Sequence, residues 1–157
     1  MRSRRLGTAL ASLALGIAVA GCGSGAHRVP SLAQLPLVNG ATIVEHLRQC
    51  DPGTNAYCAI ELVVVDRLYP SSTALVLQEK RMLKRSGWTR AGPDTSEEHA
   101  ADSPGRALRV NYATALGDLT GIDLGWIQRP RTITLALTRT MFDRVPAMSV
   151  LLESGVS

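Results

Sequence analysis

An apolar stretch of 15 residues near the N-terminus, Leu6 to Ala20, most restricts what this chain can fold into. It follows a cluster of arginines and is too short to cross a bilayer, because a spanning helix needs about 20 apolar residues. A positive segment, an apolar segment and then small residues form the pattern of a secretory signal peptide, which is removed after export. We therefore expect residues 1–21 to be a signal peptide and the folded protein to be built from the remainder.

The end of this stretch has the sequence Val19-Ala20-Gly21-Cys22. This run resembles the lipobox of bacterial lipoprotein precursors, in which a branched apolar residue and two small residues precede a cysteine. The resemblance implies that Cys22 becomes the first mature residue, takes diacylglycerol on its sulfur and anchors the protein to the exported side of the cell membrane. The alternative is an ordinary secretory signal cleaved nearby, with Cys22 as a free thiol. The general secretory route is favoured over the twin-arginine route, because Gly7 replaces an apolar residue of the twin-arginine motif.

The formal net charge of +4 comes mostly from the leader, which holds Arg2, Arg4 and Arg5. The mature chain is therefore close to neutral. Proteins that bind nucleic acid present a basic patch on the folded domain itself, so the charge balance gives no support for a nucleic-acid partner.

Beyond the leader, the composition divides the chain into two parts. Residues 22–38 contain Gly, Ser and Pro without an apolar period, which predicts a flexible tether between the lipid and the domain. Residues 39–157 have the length of a single domain. A domain of this size can bury enough surface to fold without a metal ion.

Three cysteines are an odd number for an exported protein. If Cys22 is lipidated, Cys50 and Cys58 remain as a pair around a segment rich in turn-forming residues. This arrangement predicts a disulfide between Cys50 and Cys58. The alternative is two buried free thiols.

The middle of the chain predicts two helices and a strand. Thr42 to Gln49 places Ile43 and Leu47 at helical spacing, which indicates a short helix. Ala59 to Val65 is a β-branched apolar run, which indicates a strand covered on both faces. Thr73 to Ser86 has an apolar stripe and no Gly or Pro, and is expected to be the best-defined helix.

The ends of the 73–86 helix have signals of their own. Ser71 or Ser72 can cap the helix start, and Gly87 is placed to end it in the left-handed conformation, which predicts a positive φ. Trp88 is expected to pack back on Leu83. The basic face of this helix is expected to be solvated, with contact to anionic lipid headgroups as the alternative. It consists of Lys80, Arg81, Lys84 and Arg85.

The C-terminal part of the chain predicts further strands. Arg106 to Thr114 and Thr132 to Thr138 alternate apolar and polar residues, as half-buried strands do. Met141 to Leu152 leaves two interpretations open, a short helix begun by Pro146 or an edge strand from Ser149 to Leu152. The order of elements predicts an α+β fold, a two-layer sandwich with helices packed on one face of a mixed or antiparallel sheet.

The chain's one acidic cluster lies in the polar segment from Gly92 to Gly105. Its residues Glu98, His99 and Asp102 could supply metal ligands or an acid/base pair. The segment lacks the HExxH pattern of zinc enzymes and the glycine-anchored pattern of calcium loops. We therefore expect an exposed, charged loop that binds no metal ion.

The mature domain resembles small cell-envelope lipoproteins, a class defined by its anchor and not by an activity. Because no catalytic motif is present, a non-catalytic binding or assembly module is the favoured function, with a possible envelope protein partner and no cofactor. The alternative is a small envelope hydrolase or metal-dependent enzyme that uses Glu98, His99 and Asp102. A concave pocket in which His99 meets a second titratable group would favour the enzyme.

Replacing Cys22 by Ala is expected to release the domain from the membrane without changing its melting temperature. Two acyl chains hold a protein stably at a membrane, and the anchor lies outside the folded domain. Cell fractionation and thermal denaturation measure the two outcomes, and mass spectrometry verifies that the leader has been cleaved. A cleaved variant that stays in the membrane would show that lipid is not the main anchor.

Overall fold

A computed structural model describes residues 29–50, 57–117 and 139–154. The strands are β1 (Thr42–Cys50), β2 (Cys58–Val65), β3 (Thr89–Asp94), β4 (Glu98–Asp102), β5 (Leu108–Ala113) and β6 (Ala147–Ser154). The α-helices are α1 (Ser72–Arg85) and α2 (Arg139–Arg144), and short 3-10 helices occupy Leu32–Gln34 and Pro104–Arg106. The strand predicted from Thr132 to Thr138 lies outside the described residues.

The six described strands form one sheet in the order β1-β2-β6-β5-β4-β3, and every neighbouring pair is antiparallel. The α+β class and the antiparallel sheet are thus confirmed, with sheet as the larger part. Strand directions alternate along this order, so β2 and β3 run parallel with three strands between them. Helix α1 makes the connection from β2 to β3.

Strands β2 and β6 are neighbours in the interior of the sheet, and both are buried along most of their length. The prediction of a strand at Ala59 to Val65 is confirmed, and its continuous apolar run fits burial on both faces. Strand β6 resolves the ambiguity left by Met141 to Leu152. It is a strand that lies between β2 and β5 and not at an edge. Val150, Leu151 and Leu152 are successive residues and all are buried, as expected for an interior strand that is covered on both faces.

The helix predicted from Thr42 to Gln49 is wrong, because this segment is strand β1. Residues four apart share a side in an ideal strand as well as in a helix, so the spacing of Ile43 and Leu47 did not discriminate. A β-bulge between Ile43 and Glu45 then turns the strand. As a result Ile43 packs on the α1 side of the sheet, while Leu47 packs on the other side.

Helix α1 has the ends that its sequence predicts. The Ser71 side chain accepts a hydrogen bond from the backbone N–H of Ala74 at 3.1 Å. Gly87 has a φ of +83°, and the Trp88 N–H donates to the Leu83 carbonyl at 3.0 Å. Trp88 and Leu83 are both buried in the main core, as the predicted C-terminal contact requires.

The main core lies between α1 and one face of the sheet. Leu35 and Val38, in the segment expected to be a flexible tether, are buried in this core, so this part of the segment belongs to the folded domain. On the opposite face of the sheet, Phe142 of α2 packs against Val63. The helices therefore contact both faces, and not one face as the sequence suggested.

The predicted disulfide between Cys50 and Cys58 is present. The two cysteines lie opposite each other in the antiparallel pairing of β1 and β2, with their Cα atoms 4.1 Å apart. In the chain-entropy estimate, closing a loop of this length stabilises the fold by about 2.5 kcal/mol. The bond fixes the pairing of β1 with the sheet.

A buried carboxyl group on α1 was not expected from the sequence. Glu79 is 1% exposed, and its Oε2 accepts a hydrogen bond from the backbone N–H of Val38 at 3.1 Å. Its Oε1 has no hydrogen-bond partner among the described residues. Burial raises the pKa of Glu79 to about 7, while the Val38 hydrogen bond acts in the opposite direction.

Replacing Glu79 by Gln is expected to change how stability depends on pH. The folded protein keeps the Glu79 proton up to a pKa of about 7, whereas the unfolded chain releases it near 4.5. The wild type therefore loses stability as the pH rises from 4.5 to 7, and the variant lacks this loss, which is on the order of 3 kcal/mol. Urea unfolding at pH 5 and pH 8 measures the effect. Identical pH profiles for the two proteins would contradict it.

Candidate functional site

The sheet register brings three polar side chains into one row beside α1. Asp94 of β3 lies opposite His99 of β4, and His99 lies opposite Tyr112 of β5. Residues that are directly opposite in an antiparallel pair point to the same face. The three side chains therefore share the face on which α1 packs.

An irregularity in β3 sets the position of Asp94. Arg90 pairs with Ala101 and Asp94 pairs with His99, so β3 has two more residues than β4 between these pairs. Pro93 lies in this interval and cannot donate to a strand ladder. The bulge ends at Asp94, which returns to register next to the tight turn into β4.

A pocket of about 380 Å³ opens between the C-terminal half of α1 and strands β3, β4 and β5. We call it the His99 pocket. Its volume is at the lower end of the roughly 300–1,000 Å³ range of small-molecule sites. The side chains that line it are Lys80, Leu83, Lys84, Trp88, Thr89, Arg90, Asp94, His99, Ala100, Ala101 and Tyr112.

His99 is the buried polar residue of this pocket, with 3% of its surface exposed. Its Nδ1 lies 2.6 Å from Oδ1 of Asp94, within hydrogen-bonding distance. Its Nε2 has no hydrogen-bond partner among the residues that the structure describes. The His99 ring is tilted by 33° against the Tyr112 ring, at a centroid distance of 5.5 Å.

The surroundings favour a neutral imidazole. Burial lowers the pKa of His99, and the positive charge of Lys80 lowers it further, while Asp94 raises it by a smaller amount. A neutral imidazole carries one N–H, and the carboxylate of Asp94 favours that proton on Nδ1. Nε2 is then a buried hydrogen-bond acceptor of a residue that lines the pocket.

Asp94 is held ionised by the cations around it. Lys80 Nζ donates a hydrogen bond to Asp94 Oδ1, and this bond is the main reason why the pKa of Asp94 is below its usual value. Arg90 approaches Oδ2 less closely, at 3.8 Å. Lys84 is exposed and has no ion pair within the described ranges. The pocket therefore has an excess of positive charge.

The acidic cluster differs from its predicted form. Glu98, His99 and Asp102 belong to strand β4, and His99 and Asp102 are buried, so the expected exposed loop is wrong. Successive residues of a strand point to opposite faces, so Glu98 and Asp102 lie on the other side of the sheet from His99. Asp102 instead accepts two hydrogen bonds from the Arg109 guanidinium, at 2.8 and 3.2 Å.

The sequence contains a partial signal for Asp94, the partner of His99 that the sequence-based prediction did not identify. Asp94 and His99 lie on either side of a tight turn that begins at Thr95. The Thr95 Oγ1 accepts hydrogen bonds from the backbone N–H groups of Glu97 and Glu98, at 3.2 and 2.9 Å. Residues on either side of a tight turn face each other in a hairpin. Recognising that turn would have paired Asp94 with His99.

A second pocket, of about 270 Å³, lies near the start of α1. Of its two carboxyl groups, Asp143 is exposed, whereas Glu97 accepts hydrogen bonds from the hydroxyl groups of Thr114 and, at 3.4 Å, Thr73. Because these hydrogen bonds already satisfy the Glu97 carboxylate, this pocket offers a ligand less than the His99 pocket does.

Comparisons with protein-family models, curated proteins and solved structures find no match for this chain. The described residues contain no cluster of three or more His, Cys, Asp or Glu side chains that could hold a metal ion. None of the described helices is long and apolar enough to cross a bilayer. The predicted signal peptide and Cys22 lie outside the described residues.

Two substitutions are expected to move the pKa of His99 in opposite directions. Replacing Asp94 by Asn removes a negative charge that favours the imidazolium, so the His99 pKa falls. Replacing Lys80 by Met removes a positive charge that disfavours it, so the His99 pKa rises. NMR titration of the His99 ring protons measures both shifts. Shifts of the same sign would show that Lys80 and Asp94 do not act on His99 through their charges.

Proposed function

We propose that this chain is a lipid-anchored protein of the cell envelope and that its domain is a non-catalytic module that binds a small molecule in the His99 pocket. The main support is His99, which lines the pocket and whose buried Nε2 has no hydrogen-bond partner among the described residues. A buried polar atom left without a partner costs about 1–3 kcal/mol. A ligand that bonds to Nε2 recovers this free energy.

The pocket also supports a refined version of the two-layer fold. Its wall combines side chains of α1, such as Leu83, with side chains of the sheet, such as Ala101 and Tyr112. We propose that α1 and the sheet are two layers here and that the ligand enters at their edge. Small-molecule sites are typically concave and lined mostly by apolar and aromatic side chains, with a few polar groups.

The proposed anchor is the lipidated Cys22. The described part of the domain begins close after it, and there the Pro30 carbonyl accepts a hydrogen bond from the Arg48 guanidinium at 2.6 Å. An extended chain spans at most about 3.6 Å per residue, so the segment from Cys22 to Val29 reaches about 25 Å. The domain is thus expected to lie close to the membrane surface.

A hydrolase is the second candidate, supported by the 2.6 Å contact between His99 and Asp94 in a concave pocket. An imidazole oriented by a carboxylate can act as a general base on water. This candidate uses Asp94 in place of Glu98 and Asp102. Among the described lining residues the hydroxyl groups belong to Thr89 and Tyr112, and there is no serine or cysteine nucleophile.

Binding in the His99 pocket can be tested with the lipid-free domain and a chemically broad panel of small cationic, neutral and anionic compounds. We expect at least one class to raise the melting temperature, because a ligand at 100 times its Kd stabilises the folded state by about 2.7 kcal/mol. The increase should be lost in His99→Phe. The matched control is His46→Phe, an exposed histidine on β1 outside the pocket.

Two results would contradict the binding module. The first is that no class of compound changes the melting temperature. The second is an increase of the same size in His99→Phe. Turnover of small ester substrates that disappears in His99→Phe and Asp94→Asn, but not in His46→Phe, would favour the hydrolase.

A further inference from the structure

We propose that the ligand of the His99 pocket is a small anion with a flat apolar body. Its outer end carries a carboxylate or phosphate that binds Lys84 and Arg90, and its inner end carries a hydroxyl or N–H that donates to Nε2 of His99. This inference rests on the proposed binding function and names the chemical class of the ligand.

The charge at the entrance of the pocket determines the charge that the outer end of the ligand carries. Lys80, Lys84 and Arg90 all line the pocket, whereas Asp94 is its one acidic lining residue. Asp94 pairs closely with Lys80 and more distantly, at 3.8 Å, with Arg90. One carboxylate thus faces three cations, which leaves two positive charges to attract an anion at Lys84 and Arg90. Like charges held close together repel each other, so this arrangement favours an anionic ligand and disfavours a cationic one.

Both lysines of the chain lie at this pocket, although arginine is the far commoner base elsewhere in the sequence. They are four residues apart on α1, so they project from the same face of the helix. Lysine is a compact charge with three rotatable donors that adapts to carboxylate or phosphate.

The interior of the pocket selects the body of the ligand. Leu83, Trp88 and Tyr112 are buried, and each contributes to the wall. Two aromatic side chains and a narrow volume favour a flat ring, which can stack with an offset or pack against a ring edge.

The tautomer of His99 determines which polar group the inner end of the ligand carries. Because Nδ1 faces the Asp94 carboxylate, the proton lies on Nδ1 and Nε2 accepts. A ligand with a hydroxyl or N–H satisfies Nε2, whereas a matched compound without a donor leaves it unpaired. Such a loss reduces affinity by about tenfold or more.

The test uses the lipid-free domain with its two lysines converted to ¹³C-dimethyllysine, a modification that keeps the charge. Each lysine gives its own NMR signal at the pocket, and the terminal amine is assigned separately. The probes share a ring and differ in one group. They are 4-hydroxyphenylacetate, phenylacetate without the hydroxyl, the neutral 4-hydroxyphenylacetamide and the cationic tyramine.

We expect 4-hydroxyphenylacetate to shift the signals of both lysines and to bind at least tenfold more tightly than each of the other three probes. Lys84→Met should weaken the acid about tenfold and leave the neutral amide unchanged. Arg85→Met is the matched control, an exposed neighbour on α1 that does not line the pocket. His99→Gln should remove the advantage of the hydroxyl while phenylacetate binding stays the same.

Three outcomes would overturn the inference. The first is that tyramine or the neutral amide binds as tightly as the acid. The second is that Lys84→Met and Arg85→Met weaken binding of the acid equally. The third is that the lysine signals respond only to phosphatidylglycerol vesicles and not to a free acid. Neutral or cationic compounds that bind through His99 would overturn the ligand class and leave the binding function standing. If the broad panel gives no binding at all, both proposals fail.

Discussion

The antiparallel register of the sheet is the constraint on which the rest of this domain depends. One row crosses all six described strands on the α1 face and runs through Asp94, His99, Tyr112, Val150, Leu62 and His46. Its middle is apolar core, and its polar side chains lie towards the two ends. A one-residue slip in any pairing would send the slipped strands' side chains to the other face. The same hydrogen bonds that hold the sheet together therefore also place Asp94 beside His99.

The elements that could be predicted are those whose local pattern admits one solution. Helix α1 has a cap, an apolar stripe and a terminal glycine that agree with one another, and β2 is a run of β-branched residues. The helix prediction for Thr42 to Gln49 was wrong because the apolar spacing of this segment fits both a helix and a strand. Its pairing with β2 makes it a strand. Long-range pairing of this kind leaves little trace in a single local pattern.

Only part of the candidate site could be predicted, because its arrangement also depends on long-range strand pairing. His99 stood out by its chemistry, but its burial follows from β4 lying between β3 and β5. Lys80 and Lys84 were expected on a solvated face, and Lys84 is exposed there. The sequence did not show that both also line a pocket where the helix surface meets the end of β3. Glu79 was hidden because a carboxylate is rarely buried, and its backbone partner, Val38, lies 41 residues earlier in the chain.

The irregularities in β1 and β3 have a consequence for the proposed attachment to a membrane. Within the described part of the chain these are the two outermost strands, and each contains a bulge, with Pro93 in the second. Unpaired strand edges invite another chain to add to the sheet, and bulges and prolines make that addition poor. A lipid anchor confines all copies of a protein to one plane, where collisions are frequent. Interrupted edges would keep such crowded neighbours from joining into a continuous sheet.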